Sequence, residues 1–161
     1  MSKQETKDFF GIERKKHTDF FLPFYGNKNW QIVEDNIDSD SPMDWDVKAE
    51  IFVGKYKRID EKVRVGEYGD CLVELIQDIK TVKLGWVFGD KDWVLYGSWA
   101  NIENIYPSSL YLISMPRLRD YIFSLKGILK TVISHKGWGI TWNIILYWDE
   151  LIEKGIAEKL I

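Results

Sequence analysis

A mixed α/β domain is the fold class the sequence predicts, and three observations predict it. Short runs of β-branched and aromatic residues alternate with glycine-bearing turns through the middle of the chain. Helical apolar spacing marks both ends and the stretch after Pro116. No repeat, linker or low-complexity segment divides the 161 residues, so one domain with one packed core is expected.

In chain order, residues from about Lys3 to Tyr25 carry helical spacing, with the Phe9-Phe10 and Phe20-Phe21 pairs apolar and His17 read as an exposed or capping residue. Pro23 and Gly26-Asn27 should end that helix. Asn29 to Val33 reads as a first strand. Glu34 to Ser41 reads as a solvated acidic loop, because Asp35, Asp38 and Asp40 lack the glycine and terminal glutamate of an EF-hand. Trp45 to Arg64 reads as two strands joined at Gly54-Lys55. After a turn at Gly66 to Asp70, Cys71 to Ile76 is taken as a strand. Leu84 to Phe88 and Asp92 to Tyr96, joined by Gly89-Asp90-Lys91, form a second candidate hairpin. Ile105 to Ser114 continues the sheet.

Pro116 then opens a helix at a favoured first-turn position. Its Leu118, Tyr121, Ile122 and Leu125 face inward, while Arg117, Arg119 and Lys126 stay polar. With Lys130, His135, Lys136 and the glycine-bearing stretch at 137–143, read as a mobile loop, they make the best basic patch in the chain. Ile144 to Tyr147 is expected to be a strand and Trp148 to Ile161 a terminal amphipathic helix.

The central hairpin carries the chemistry. Strand side chains alternate with a period of two, so Arg58, Asp60, Lys62 and Arg64 share one face. Antiparallel pairing would bring Asp46 toward Asp60, placing two carboxylates and an ammonium around one small volume. Mg²⁺ commonly uses one or two carboxylates plus waters and substrate phosphate. Asp46 and Asp60 fit that donor set, with the Glu61 carbonyl as a third ligand. Lys62 could hold or deprotonate the water bound to the ion, or neutralise charge on a phosphate. Glu74, a glutamate inside an apolar run, either faces water or joins the site as a further acid beside Lys62. The same alternating charge also suits an ordinary solvent-facing strand.

Asp46, a gap of fourteen positions and then Asp60-Glu61-Lys62 resembles the PD-(D/E)XK nuclease superfamily, and Glu74, Gly85-Trp86 and Asp92 resemble its phage and bacterial members with an Asp-Glu-Lys motif. The resemblance spans roughly Thr18 to Tyr96. It implies a restriction-endonuclease-like mixed sheet flanked by helices (αβββαβ-type, with an added hairpin), and a metal-dependent endonuclease using Mg²⁺ or Mn²⁺, DNA favoured over RNA. It also implies an acid on the first helix, Asp19 or Glu13, with Asp19 the better match. Pro42 stands four positions before Asp46 rather than directly before it, which leaves Asp44 as a rival first carboxylate. Arg58, Arg64, Lys136 and Thr141 are the candidate phosphate contacts. Cutting both strands of a duplex would suit a homodimer.

Bulk properties bound these readings. A net charge of −3 counts mildly against a nucleic-acid binder, so any positive potential must be local. The alternative is a non-catalytic protein of nuclease fold, such as a phage-encoded inhibitor or adaptor gripping a host protein. A single cysteine, Cys71, excludes an intramolecular disulfide and a cysteine-based zinc site. The polar N-terminus and the lack of an apolar run of about 18 residues point to the cytoplasm and away from a membrane. Seventeen lysines against five arginines and three alanines fit a low-GC bacterium or its phage.

Overall fold

The structure is a computed structural model that describes residues 11–37, 45–127, 129–136 (the Lys136 side chain excepted) and 139–161. Asp38, Asp40, Pro42 and Asp44, and residues 3–10 of the expected first helix, lie outside the described residues.

Two sheets and a helix form the frame. Helix α1 covers residues 11–27 and contains a π-helical turn at His17–Phe21, where the Leu22 N–H reaches back to the His17 carbonyl. Pro23 does not end this helix. It follows the widened turn directly, at the first-turn position of the Leu22–Asn27 segment, where a missing N–H costs little. The chain then leaves through Asn29, at φ 56°.

Strands β1 (Gln31–Asp35), β2 (Val47–Phe52) and β3 (Lys55–Val65) make an antiparallel meander, with Gly54 at φ 74° in the β2–β3 turn. Strand β6 (Trp93–Trp99) lies parallel to β3, and β7 (Ser109–Ser114) and β10 (Ala157–Lys159) complete a six-stranded sheet in the order β1-β2-β3-β6-β7-β10. A second sheet has the order β5-β4-β9-β8, from β4 (Asp70–Asp78), β5 (Lys83–Leu84), β8 (Thr131–Lys136) and β9 (Gly139–Tyr147). Helices α2 (Met115–Ser124) and α3 (Trp148–Glu153) pack with it.

Four expectations are corrected. Trp86–Phe88 is a 3₁₀ turn and β6 pairs with β3 and β7, so there is no hairpin between 84–88 and 92–96. A parallel pair cannot be closed by a tight turn. The β3-to-β6 crossover carries β4 and β5 of the second sheet instead of the helix of an αβββαβ chain. The stretch from Gly139 is strand β9, paired with β8 from Lys136↔Gly139 onward, and not a loop. The terminal helix ends at Glu153, because Gly155 takes a left-handed φ of 65° that favours glycine, and β10 then joins β7.

Alternation along β3 decides what each layer buries. Ile59 and Val63 face α1, where Phe20, Phe21 and Tyr25 pack with Val47, Leu95 and Trp99. Phe20 and Phe21 both meet the Trp99 ring edge-on. Removing the fully buried Trp99 indole would cost about 3–5 kcal/mol. On the other side, Val94, Tyr96, Tyr111 and Ile113 meet Cys71, Val73, Ile144 and Leu146 of the second sheet. Cys71 is a fully buried thiol, pushed well up by burial.

Candidate active site

Strand β3 outlasts its neighbour. The β2–β3 ladder closes at Val47↔Ile59, after which the Asp46 N–H still donates to the Ile59 carbonyl at 2.9 Å. From Asp60 onward β3 keeps β6 on one side, and the Asp46 side chain takes the place of a strand on the other. Its Oδ2 accepts the Glu61 N–H at 2.6 Å. Within a strand a residue's N–H and C=O point the same way. The Glu61 carbonyl therefore opens toward Asp46.

Asp60 and Lys62 project together from the second-sheet face of β3. Lys62 Nζ lies 3.1 Å from Asp60 Oδ1 and 3.0 Å from Oδ2. A second ammonium, Lys91, donates to Asp60 Oδ2 at 2.5 Å and is only 4% exposed. Asp46, Asp60, Lys62, Glu74 and Lys91 line one cavity of about 240 Å³. Asp46, Asp60 and Lys62 also line a smaller cavity of about 60 Å³ together with Glu13 of α1.

Burial and charge push the two acids apart. Burial first, and the neighbouring Asp60 charge second, drive the Asp46 carboxyl well above the usual carboxylate range. Burial acts on Asp60 in the same direction, but Lys62 and Lys91 together outweigh it and hold Asp60 low. Lys62 is raised: burial opposes its charge, and Asp60 and Asp46 more than compensate. It is an ammonium at neutral pH, suited to charge stabilisation and not to taking a proton. Lys91 is lowered by burial, with Asp60 opposing the fall.

Glu61 points the other way and anchors a buried network. His17 Nδ1 lies 2.8 Å from Glu61 Oε2, His17 Nε2 lies 3.0 Å from Asp35 Oδ2, and the Tyr25 hydroxyl donates to Glu61 Oε1 at 2.7 Å. Burial opposes the His17 charge, yet its bonds to Glu61 and Asp35 raise it to about 9. His17 is thus a buried imidazolium, 2% exposed, and not the exposed or capping residue expected.

The structure gathers Asp46, Asp60, Lys62 and Glu74 around one cavity and places Glu13 beside it, while Asp19 is exposed and lines neither cavity. The phosphate-contact candidates do not gather. Thr141 is a fully buried residue of β9 whose hydroxyl accepts from Asn143. Arg64 donates to the Asp70 carbonyl and Oδ1, both at 2.7 Å, with its guanidinium 4.1 Å from the Tyr68 ring centroid. Arg58 is engaged by Asp90 and Asp92. Lys136 contributes a described backbone only. Sequence reasoning missed Lys91 and His17. The buried position just ahead of β6 is the only signal that could have marked Lys91, and it needs the parallel pairing to be known.

Among the described residues, no three His, Cys, Asp or Glu side chains are grouped to hold a metal ion. The donor set fits an ion that keeps several waters, since two carboxylates and one carbonyl suit Mg²⁺ and not an all-protein cage. A bound cation would also relieve the repulsion from Asp60 that, after burial, helps raise the Asp46 carboxyl. No family model, curated protein or solved structure matches this chain.

Proposed function

We propose that this protein is a metal-dependent phosphodiester hydrolase acting on nucleic acid, DNA favoured, with Asp46, Asp60 and the Glu61 carbonyl as the ligands of Mg²⁺ or Mn²⁺. The observation that carries this reading is the cavity in which two inequivalent carboxylates, Asp60 of β3 and Asp46 just ahead of β2, meet the Lys62 ammonium. The ion would supply Lewis-acid polarisation of the phosphate. Lys62, fixed against Asp60, supplies positive charge where negative charge grows on the scissile phosphate. Lys91 also holds Asp60 through Oδ2, so two ammonium groups fix the orientation of the carboxylate. Glu74 and Glu13 are second-rank acids that would orient water. A homodimer would suit two-strand cutting.

The test is incubation of plasmid and single-stranded substrates with Mg²⁺ or Mn²⁺, comparing wild type with Asp60→Ala and Lys62→Ala. Nicking by wild type alone is expected. Absence of cutting on every substrate, or equal cutting by both variants, overturns the reading. A second reading, a nuclease-fold protein that acts by contact, draws on Phe52, Val53 and Tyr56 at the β2–β3 turn, which are 71%, 98% and 48% exposed. Pull-down that depends on Phe52 and Val53, without cleavage, favours it.

A further inference from the structure

The 240 Å³ cavity has a rim whose chemistry the hydrolytic reading leaves unused. Lys83, Leu84 and Trp86 line the same cavity as the acids. Leu84 is 61% exposed and its neighbour Val82 69%, a high exposure for aliphatic side chains beside a charged cavity. This rim is held in place. Asp78 accepts the Lys80 N–H at 3.1 Å and the Thr81 hydroxyl at 2.8 Å across the β4–β5 turn. Gly85 lies so close to β4 that a Cβ there would sit 2.0 Å from the Glu74 carbonyl oxygen.

Among the described residues lining the cavity the cations are Lys62, Lys83 and Lys91, and Asp60 holds both Lys62 and Lys91. Tracking two backbones requires several free cations, and each phosphate contact adds to affinity and salt dependence. The arginines are engaged internally as well: Arg58 by Asp90 and Asp92, Arg64 by Asp70, Arg117 by the Gly155 carbonyl, and Arg119 by the Val87 and Gly89 carbonyls. A half-buried tryptophan with an exposed leucine and an exposed lysine lining a cavity of this size suits a different ligand. Unpaired bases stack on aromatic side chains while a local cation takes the phosphate.

We infer that the rim formed by Lys83, Leu84 and Trp86 binds an unpaired nucleotide, so that the substrate enters as a single-stranded polynucleotide or single-stranded end. This rests on the reading of the carboxylate pair as a hydrolytic centre. Trp86 and Leu84 contact the base, and Lys83 contacts a phosphate next to the scissile one.

The test is a titration by fluorescence anisotropy, with Ca²⁺ in place of Mg²⁺, of single strands as DNA and as RNA and of a blunt duplex of the same sequence. Wild type should bind at least one single strand about tenfold or more tighter than the duplex. Trp86→Ala should weaken that binding by roughly 5- to 150-fold, the range of one lost base stack, and leave the duplex unchanged. Lys83→Ala should flatten the salt dependence by about 0.7 in log–log slope, the value of one phosphate contact on a single strand. Because Trp86 also packs against the core, its variant is read only where thermal melting matches wild type, and the exposed Lys83 carries the test otherwise. Equal binding of single strand and duplex, or unchanged binding in the folded variants, overturns the inference. Cleavage in Mg²⁺ is scored in parallel. Cutting without strand preference overturns this inference alone, and strand preference without cutting overturns the hydrolytic reading and leaves the binding site standing.

Discussion

Lys91 Nζ stands 2.5 Å from Asp60 Oδ2, an ion pair in which both side chains are almost wholly withdrawn from water. Asp60 lies on β3 and Lys91 just ahead of the parallel strand β6, thirty-one positions apart. Lys91→Met should therefore destabilise the protein, but by less than the roughly 3–5 kcal/mol of a fully orphaned buried charge, because Lys62 still holds Asp60. Adding Asp60→Asn in that background should cost less than the sum of the two single losses, since the two side chains answer one another. Urea denaturation of both single variants and the double variant measures this; strictly additive effects would show that the pair is not coupled.

Asp46 makes the opposite prediction. Its folded-state carboxyl is raised above the ordinary value of 3.8, so the folded protein binds the proton more tightly than the unfolded chain does. Stability contributed by the protonated form is present at low pH and declines once pH rises above the unfolded value. Asp46→Asn, which keeps an oxygen to accept the Glu61 N–H, should raise the melting temperature of the metal-free protein. The gap should widen as pH rises above the unfolded value of 3.8. Calorimetry in EDTA checks this, and the same variant should lose Mn²⁺ binding.

Metal affinity should itself depend on pH with the same sign. An ion that displaces the Asp46 proton binds more tightly as pH rises, and binding releases protons. Titration calorimetry with Mn²⁺ in buffers of different ionisation enthalpy should report net proton release that diminishes as pH rises. Zero release across buffers would count against Asp46 as a ligand.

His17 is raised to about 9 from 6.5, so its pairing with Glu61 and Asp35 stabilises the fold fully below about pH 6.5 and is lost as pH climbs through 9. His17→Ala should cost about 3 kcal/mol at pH 6 and clearly less at pH 10. Chemical denaturation at the two pH values decides it, with an equal cost at both pH values as the contrary result.

What was legible in the sequence follows from the range of the interactions. The β2–β3 hairpin could be read because period-two alternation and Gly54 are local signals, and with it came the pairing of Asp46, Asp60 and Lys62. Burial of His17 and Lys91 could not be read, since their partners lie forty-four and thirty-one positions away. The segment 84–96 misled because glycine turn chemistry at 89–91 marks a change of direction without saying which strand waits beyond it. At the C-terminus, apolar spacing continued past Gly155 and hid a strand of three residues.

The crossover between β3 and β6 has a kinetic consequence. Two strands that lie side by side are separated in the chain by β4 and β5, and β4 is covered by β9, which arrives from beyond residue 138. Closure of the parallel pair thus waits on contacts of long sequence separation, the property that slows refolding into the millisecond-to-second range or beyond. During synthesis Asp60 emerges well before Lys91, and the carboxylate stays hydrated and uncommitted until the later strands dock. The acid cluster is consequently among the last parts of the molecule to reach working geometry.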